Sequence, residues 1–503
     1  ASMDRKLLQR LKSSTRRRPT TELDDPRMTK MSGARMAFVL LVSLLCGVSA
    51  LRPPDRLPLG RQKVISHAVG RSASNMAAAA PGDGELLANS TAASGSGVGA
   101  SMINLVKAIV GAGVLSLPVG VAAFSSSRGA VLPSVVTLGV ITMLSAYCFA
   151  MVARVCEFTN SQTWAEAWTR TIGEATAWVP SSFVALLCFS MSLQYTMVLG
   201  DSFSSIFTAA GLPRLISSRR GAIALVTVFT TLPLSLLPNL DMLKYTSFLG
   251  IGGLLYTAAF MLARVGAYAP GTVLHAAAAI PPSFSTAPFV LSSMLQPKVF
   301  VLVSILATAF CAHFLAPQFF SQLSAEIDGS SKMPRFNLLS AGGFGLSAVL
   351  SAVFQAAGFL TFGGACDGYI LNNYANSDRL AQAARVAIGC SIISSYPLLH
   401  QGLRDTLTEA LGTPRVVTTF GCVGVISLLG MKLTNLGAVA TVSGALVSTS
   451  LVYVLPTLMF AQMLKAQRSA GDKSLRLRLE LLGSRLITVL GFFLVTIGVK
   501  AAC

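Results

Sequence analysis

Charge is scarce in this chain. Charged side chains are 12% of its 503 residues, against 53% hydrophobic ones. Soluble domains carry about 25% charge, because a folded surface has to be wetted. With half that share and a mean hydropathy of +0.65, several water-exposed cores cannot be covered, so a string of soluble domains is excluded. Most of the surface belongs in lipid. Catalytic constellations are missing as well. Of four histidines, His67 and His275 fall in a tail and a loop, while His313 and His400 lie in apolar runs with no carboxylate at motif spacing. That argues against an intramembrane enzyme and leaves no metal or cofactor set to expect. The nine cysteines make no disulfide framework, since Cys148, Cys188, Cys311, Cys390 and Cys422 are embedded in apolar runs, where a thiol acts as a small hydrophobe.

What charge there is leans basic, with 39 Lys and Arg against 20 Asp and Glu. No aromatic-interleaved basic patch accompanies it, so nucleic acid is not an expected partner. Residues 1–100 read as a separate irregular tail, broken by Arg16–Arg18, Pro53–Pro54 and Ser94–Gly99. One apolar stretch interrupts it at 36–50. It is short of the ~20 residues needed to span a bilayer, and it ends Val48-Ser49-Ala50 in the shape of a signal peptide cleavage site. The basic, Ser/Ala-rich segment after it resembles a transit peptide. Together they suit a plastid-type bipartite leader, and equally a disordered cytoplasmic tail. The plastid envelope, an endomembrane such as the vacuole, and the plasma membrane all stay open.

From 101 to 503 long apolar runs alternate with short polar breaks, which predicts an all-α polytopic protein, since in lipid only helices or closed barrels satisfy the backbone. Eleven spans are expected: 101–124, 129–155, 177–209, 220–238, 245–268, 298–324, 337–362, 380–402, 415–431, 435–463 and 484–502. The connection between the last two carries Lys465, Arg468, Lys473, Arg476, Arg478 and Arg485, which places it on the cytoplasmic or stromal side. Arg214, Arg219 and Arg220 run against that orientation.

Two spans carry their own interruptions. Span one reads Asn104-Leu-Val-Lys107-Ala-Ile-Val-Gly111-Ala112-Gly113-Val-Leu-Ser116-Leu-Pro118. Each glycine lowers helix stability by ~1 kcal/mol, and proline removes a donor. Span six repeats the theme at Ala312-His313-Phe314-Leu315-Ala316-Pro317. Two interrupted helices five spans apart point to an inverted-repeat transporter whose half-helix N-termini meet an anionic group. Gly111 and Gly113 also suit plain close packing, and a lone His313 is more often a packing residue than a proton carrier. A lysine inside the membrane, Lys107, needs a cavity or a partner.

The chain from 101 to 503 resembles the amino acid/auxin permease family. The resemblance runs through Asn104–Pro118, Ser161–Gly173, Tyr195–Phe207, Leu232–Ile251, Ala357–Asn373, Ser395–Leu398 and Gly444–Pro456, in order. It implies a five-plus-five inverted repeat with an eleventh helix, moving amino acids by alternating access. Carried over, Gly111, Ala112 and Gly113 offer amides to the substrate carboxylate, faced by Ala312, His313 and Tyr195. Asn104, Lys107, Ser391, Ser394 and Ser395 fall on the ion-coupling side. In the sodium-coupled branch an Asn and a Thr are expected where Lys107 and Ile393 stand here, so the Na⁺ ligand pair is incomplete. That departure places the chain nearer the proton-coupled, vacuolar-type members, with a proton symporter or an uncoupled carrier expected and sodium disfavoured. A membrane amino-acid sensor using the same fold is the alternative. Substrate identity and oligomeric state stay open.

Overall fold

The computed structural model describes residues 97–237, 246–323, 331–470 and 474–502. Residues 1–96 of the tail, with its apolar segment at 36–50, lie outside the described residues, while 98–100 already belong to the first helix. Among the described residues the secondary structure is helical, with no strand beyond an isolated bridge such as Ser283 to Gly363.

Span one is a broken rod. Helix α1 (Val98–Ile109) ends where Val110 leaves helical geometry and Gly111 turns extended. A 3₁₀ turn over Ala112–Ser116 then leads into α2 (Leu117–Ala122), where Pro118 occupies the first turn and its missing N–H costs nothing. The two halves are bent by 46°. Next come α3 (Val131–Thr159), closed by Asn160 in the left-handed region, the short amphipathic α4 (Trp164–Thr171), and the long α5 (Trp178–Ala209). Helix α6 (Arg219–Val226) continues through a π turn at Thr227–Thr231 into Leu232–Leu236. Helix α7 spans Thr246–Ala263.

Span six is interrupted more gently. Helix α8 (Val299–Ala309) passes through Phe310–Ala312 and a 3₁₀ turn at His313–Leu315 into α9 (Ala316–Gln322), again with proline in the first turn. The pair stays close enough to collinear to act as one 24-residue span. Helix α10 (Met333–Phe362), α11 (Arg379–Leu411) and α12 (Arg415–Lys432) follow. Helix α13 (Leu436–Ser443) runs through two consecutive π segments into α14 (Leu455–Ser469), and α15 (Leu475–Ala502) closes the chain.

All eleven ranges expected from sequence hold helix. Among the described residues seven stretches, or eight with the bent pair, are long and apolar enough to cross a membrane. The rest are short, or too polar on their own: α11 carries Arg385, His400, Arg404 and Asp405. The chain is therefore a multi-pass membrane protein. Burial sorts the rods. The apolar window of span six is 89% buried and that of α5's span 78%, whereas α15 is only 22% buried and faces outward.

Close contacts lock span one into the bundle. A Cβ added at Gly120 would lie 3.0 Å from the Leu302 backbone of α8, and one at Gly358 of α10 would lie 2.5 Å from Pro118. The Ser116 hydroxyl donates to the Gly368 carbonyl at 2.6 Å. Gly363, at φ +61°, ends α10 where the Ser283 carbonyl would be only 2.2 Å from any Cβ, so the turn there requires glycine. At the start of α11, Asp378 caps the Leu380 amide and takes two hydrogen bonds from Arg264, at 2.8 and 2.9 Å.

Candidate functional site

The break in span one opens onto two small adjoining cavities between α1, α5 and α11. The smaller, about 30 Å³, is walled by Lys107, Gly111, Ala112, Tyr195, Ser391 and Ser395, with Gly250 and Leu254 of α7 and Ile388 and Ile392 of α11 completing it. The larger, about 60 Å³, shares Lys107, Tyr195 and Ser395 and adds Asn104 together with Cys311, Phe314 and Leu315 at the break in span six and apolar residues of α9 and α11. Cavities of this size hold a few waters. A bulky amino acid side chain requires the helices to part.

The polar groups at this junction are short of partners. The amides of Ala112 and Gly113 open the 3₁₀ turn, and neither has an acceptor among the described residues. Asn104 keeps a buried Oδ1 without a hydrogen bond. Lys107 is half-buried and forms no ion pair among the described residues. Its Cε and the Ser391 Oγ both lie within 4 Å of the point where a Cβ on Gly250 would be, at 3.8 and 2.9 Å. The ammonium thus reaches into the space between α1, α7 and α11. Gly111 leaves similar room on the other wall, where a Cβ would come 3.3 Å from the Tyr195 hydroxyl.

No acidic side chain lines either cavity. A second cation stands one turn away on the same stripe of α11 as Ile388, Ser391 and Ser395. Arg385, 1% exposed, gives its Nη2 to the carbonyls of Leu371 and Tyr374 at 2.7 and 2.9 Å, while its Nε and Nη1 have no partner. Cations in an apolar bundle, with no acid in the cavity walls, suit a negatively charged partner. Unpaired amides beside them reinforce it.

Six of the residues singled out from sequence converge at the smaller cavity: Lys107, Gly111, Ala112, Tyr195, Ser391 and Ser395. Asn104 joins them in the larger. Gly113 turns away and packs against Ala309, whose Cα would be 3.5 Å from its Cβ. The Ser394 hydroxyl returns to the Cys390 carbonyl at 2.9 Å. Ala312 and His313 line neither cavity. His313 is fully buried, its Nε2 2.9 Å from the Ser145 carbonyl and its ring edge-on to Phe149, while its own carbonyl accepts from the Trp164 indole of α4 at 2.8 Å. In this conformation it ties α3 and α4 to the break in span six. Sequence reading passed over Gly250, Leu254, Ile388 and Ile392. The one signal available was the glycine-rich run Gly250-Ile-Gly252-Gly253, which marks a helix other backbones approach closely.

The model of the family described as "Transmembrane amino acid transporter protein" matches residues 94–503. The chain is 24% identical over 416 residues to the Danio rerio protein named "Putative sodium-coupled neutral amino acid transporter 11", covering 80% of this chain and 85% of that one. It is 24% identical over 414 residues to the Mus musculus protein named "Sodium-coupled neutral amino acid transporter 7", covering 76% and 81%. Among solved structures, MhsT in complex with L-phenylalanine aligns over 79% of this chain and 98% of its own, at 13% identity and a TM-score of 0.49. With the family model spanning all the described helices, the chain belongs to the transmembrane amino acid transporter family.

Proposed function

We propose that the chain is a secondary carrier that moves an amino acid across its membrane by alternating access, with the substrate carboxylate held at the break in span one. The observation that carries this reading is the convergence there of the Ala112 amide, which has no acceptor among the described residues, Tyr195 and an unpaired Lys107, with no acid in the walls. A carboxylate leaving water needs several donors, and such a place supplies them without a full counter-charge for each. Gly113, Ala312, His313 and Ser394, which stand back from the cavities, belong to the moving parts or to other conformations in this reading. The two breaks then serve as the flexible points of a five-plus-five repeat.

We further infer that transport is proton-coupled or uncoupled rather than driven by sodium. The relatives' names state sodium coupling for those proteins; here the Lys107 ammonium projects beside Ser391, where a bound cation would be repelled. Residues 1–100 are read as a separate tail, with a plastid envelope or endomembrane as the destination its leader-like composition suits. The test is uptake of radiolabelled amino acids into proteoliposomes with an imposed pH gradient, a Na⁺ gradient, or neither. Uptake that follows the pH gradient, or needs none, is expected. Uptake that requires Na⁺ and ignores pH refutes the coupling; no uptake of any amino acid refutes the carrier.

A further inference from the structure

A third cavity, about 650 Å³, lies well away from the transport site, at the end of the bundle that carries the basic α14–α15 connection. It is an order of magnitude larger than the other two and falls in the range of ligand sites, roughly 300–1,000 Å³. Its interior is apolar, from Ala150, Met151 and Phe158 of α3, Met333 of α10 and Met463 of α14. Its rim is polar, with Arg154, Asn337, Gln467 and Arg476, and with Glu157, which accepts a hydrogen bond from Ser331.

The walls that lead into it face outward. On α3, Val136, Val140, Met143 and Tyr147 form one exposed stripe, and Tyr147 itself lines the cavity. On α15, Leu475, Leu479, Leu482 and Leu486 form another. A molecule in this space therefore has an apolar route continuous with the hydrocarbon of one leaflet. The head of the space is basic. Arg154 is committed, with its guanidinium 2.7 Å from Glu480 and stacked over Phe460. Arg476 gives only its Nε to Glu480, at 3.2 Å, and is otherwise 83% exposed. Lys332, Arg335 and Arg468 stand in the adjoining turns, and among the described residues Glu157 and Glu480 face them on the acidic side.

We propose that this cavity is a phospholipid site that takes an anionic headgroup at Arg476 and its acyl chains along the α3–α15 cleft. Basic pockets between membrane helices hold anionic headgroups through this combination of charge and apolar wall. The occupant is a lipid of the facing leaflet rather than a soluble anion, because the apolar interior of the cavity runs on into the outward-facing stripes.

The experiment uses the full chain reconstituted in mixed phosphatidylglycerol and phosphatidylcholine vesicles, re-extracted in mild detergent, with retained phospholipid counted by native mass spectrometry. Wild type should retain phosphatidylglycerol in preference to phosphatidylcholine. Arg476→Glu should weaken that preference at least about fivefold, from the attraction of one basic residue near the headgroup. Ala150→Trp, which fills the cavity, should release lipid of both kinds, while Arg214→Glu at a distant loop should change nothing. Unchanged melting temperatures certify the variants; if Ala150→Trp fails to fold, the Arg476 comparison decides alone. Equal retention in wild type and Arg476→Glu, or an equal loss in Arg214→Glu, overturns the proposal. Displacement of retained phosphatidylglycerol by millimolar glycerol phosphate also overturns it, in favour of a soluble-anion site.

Discussion

Replacing Lys107 by asparagine should turn the carrier toward sodium. The Lys107 Cε and the Ser391 Oγ lie within 4 Å of one point beside Gly250, so a cation held by Ser391 would be a near neighbour of the ammonium. Two unit charges about 4–7 Å apart at an effective dielectric of about 20 repel by about 2–4 kcal/mol. That corresponds to roughly fifty- to a thousandfold weaker cation binding, enough to push a millimolar site out of reach. Lys107→Asn removes the charge and supplies a carbonyl oxygen, a suitable ligand for a hard cation. The assay is uptake into proteoliposomes across a Na⁺ gradient at fixed pH, wild type against variant. Wild type should be indifferent to Na⁺, and the variant should gain a dependence that saturates with Na⁺ concentration. A wild type already driven by Na⁺, or a variant that folds and transports yet stays indifferent, refutes the role given to Lys107.

Three further outcomes follow from geometry already described. Tyr195→Phe removes a hydroxyl that borders both cavities; the loss of one hydrogen bond, about 0.5–1.5 kcal/mol, should raise the KM for uptake by about two- to tenfold with melting temperature unchanged, and an unaltered KM removes Tyr195 from the site. Gly444→Ala would set a Cβ 1.9 Å from the Ser304 carbonyl, so overpacking between α8 and the π segment should cost at least about 1–3 kcal/mol, read as a clear fall in detergent melting temperature. Burial alone would raise the Asp378 carboxyl, but Arg264 and the Leu380 amide outweigh it and hold it below the usual carboxylate range. The stability it contributes is thus complete above its unfolded value of about 3.9 and is lost as pH falls through the lower folded value, so melting temperature should drop in acid in wild type and that component should vanish in Asp378→Asn.

The rods were legible because lipid imposes length and apolarity on every span, and helix occurs in each expected range. The break in span one was legible too, because Gly111, Gly113 and Pro118 leave a helix few other choices. The walls of the cavity were harder to read. Ile388, Ile392 and Leu254 are apolar residues in an apolar helix, and nothing in their identity separates a cavity wall from a lipid-facing surface. Rotation of α11 decides it, and that rotation is set by packing against α5 and α7. His313 shows the converse. Its polarity in an apolar run drew attention, yet here the ring serves a carbonyl of α3 and a cluster of phenylalanines. Arg385 was overlooked because α11 begins in a polar loop, where an arginine is unremarked until its burial is seen.

The missing methyl groups along span one also bear on kinetics. Gly120 and Gly358 bring α2 so near α8 and α10 that a single added methyl would collide with Leu302 or with the Pro118 ring, and packing that close leaves little room to slip. Val110 and Gly111, which leave helical geometry, are where α2 can swing relative to α1. With α2 moving as one body with α8 and α10, turnover is expected to take one collective step. Its temperature dependence should therefore reflect a single large barrier rather than a sum of small local adjustments.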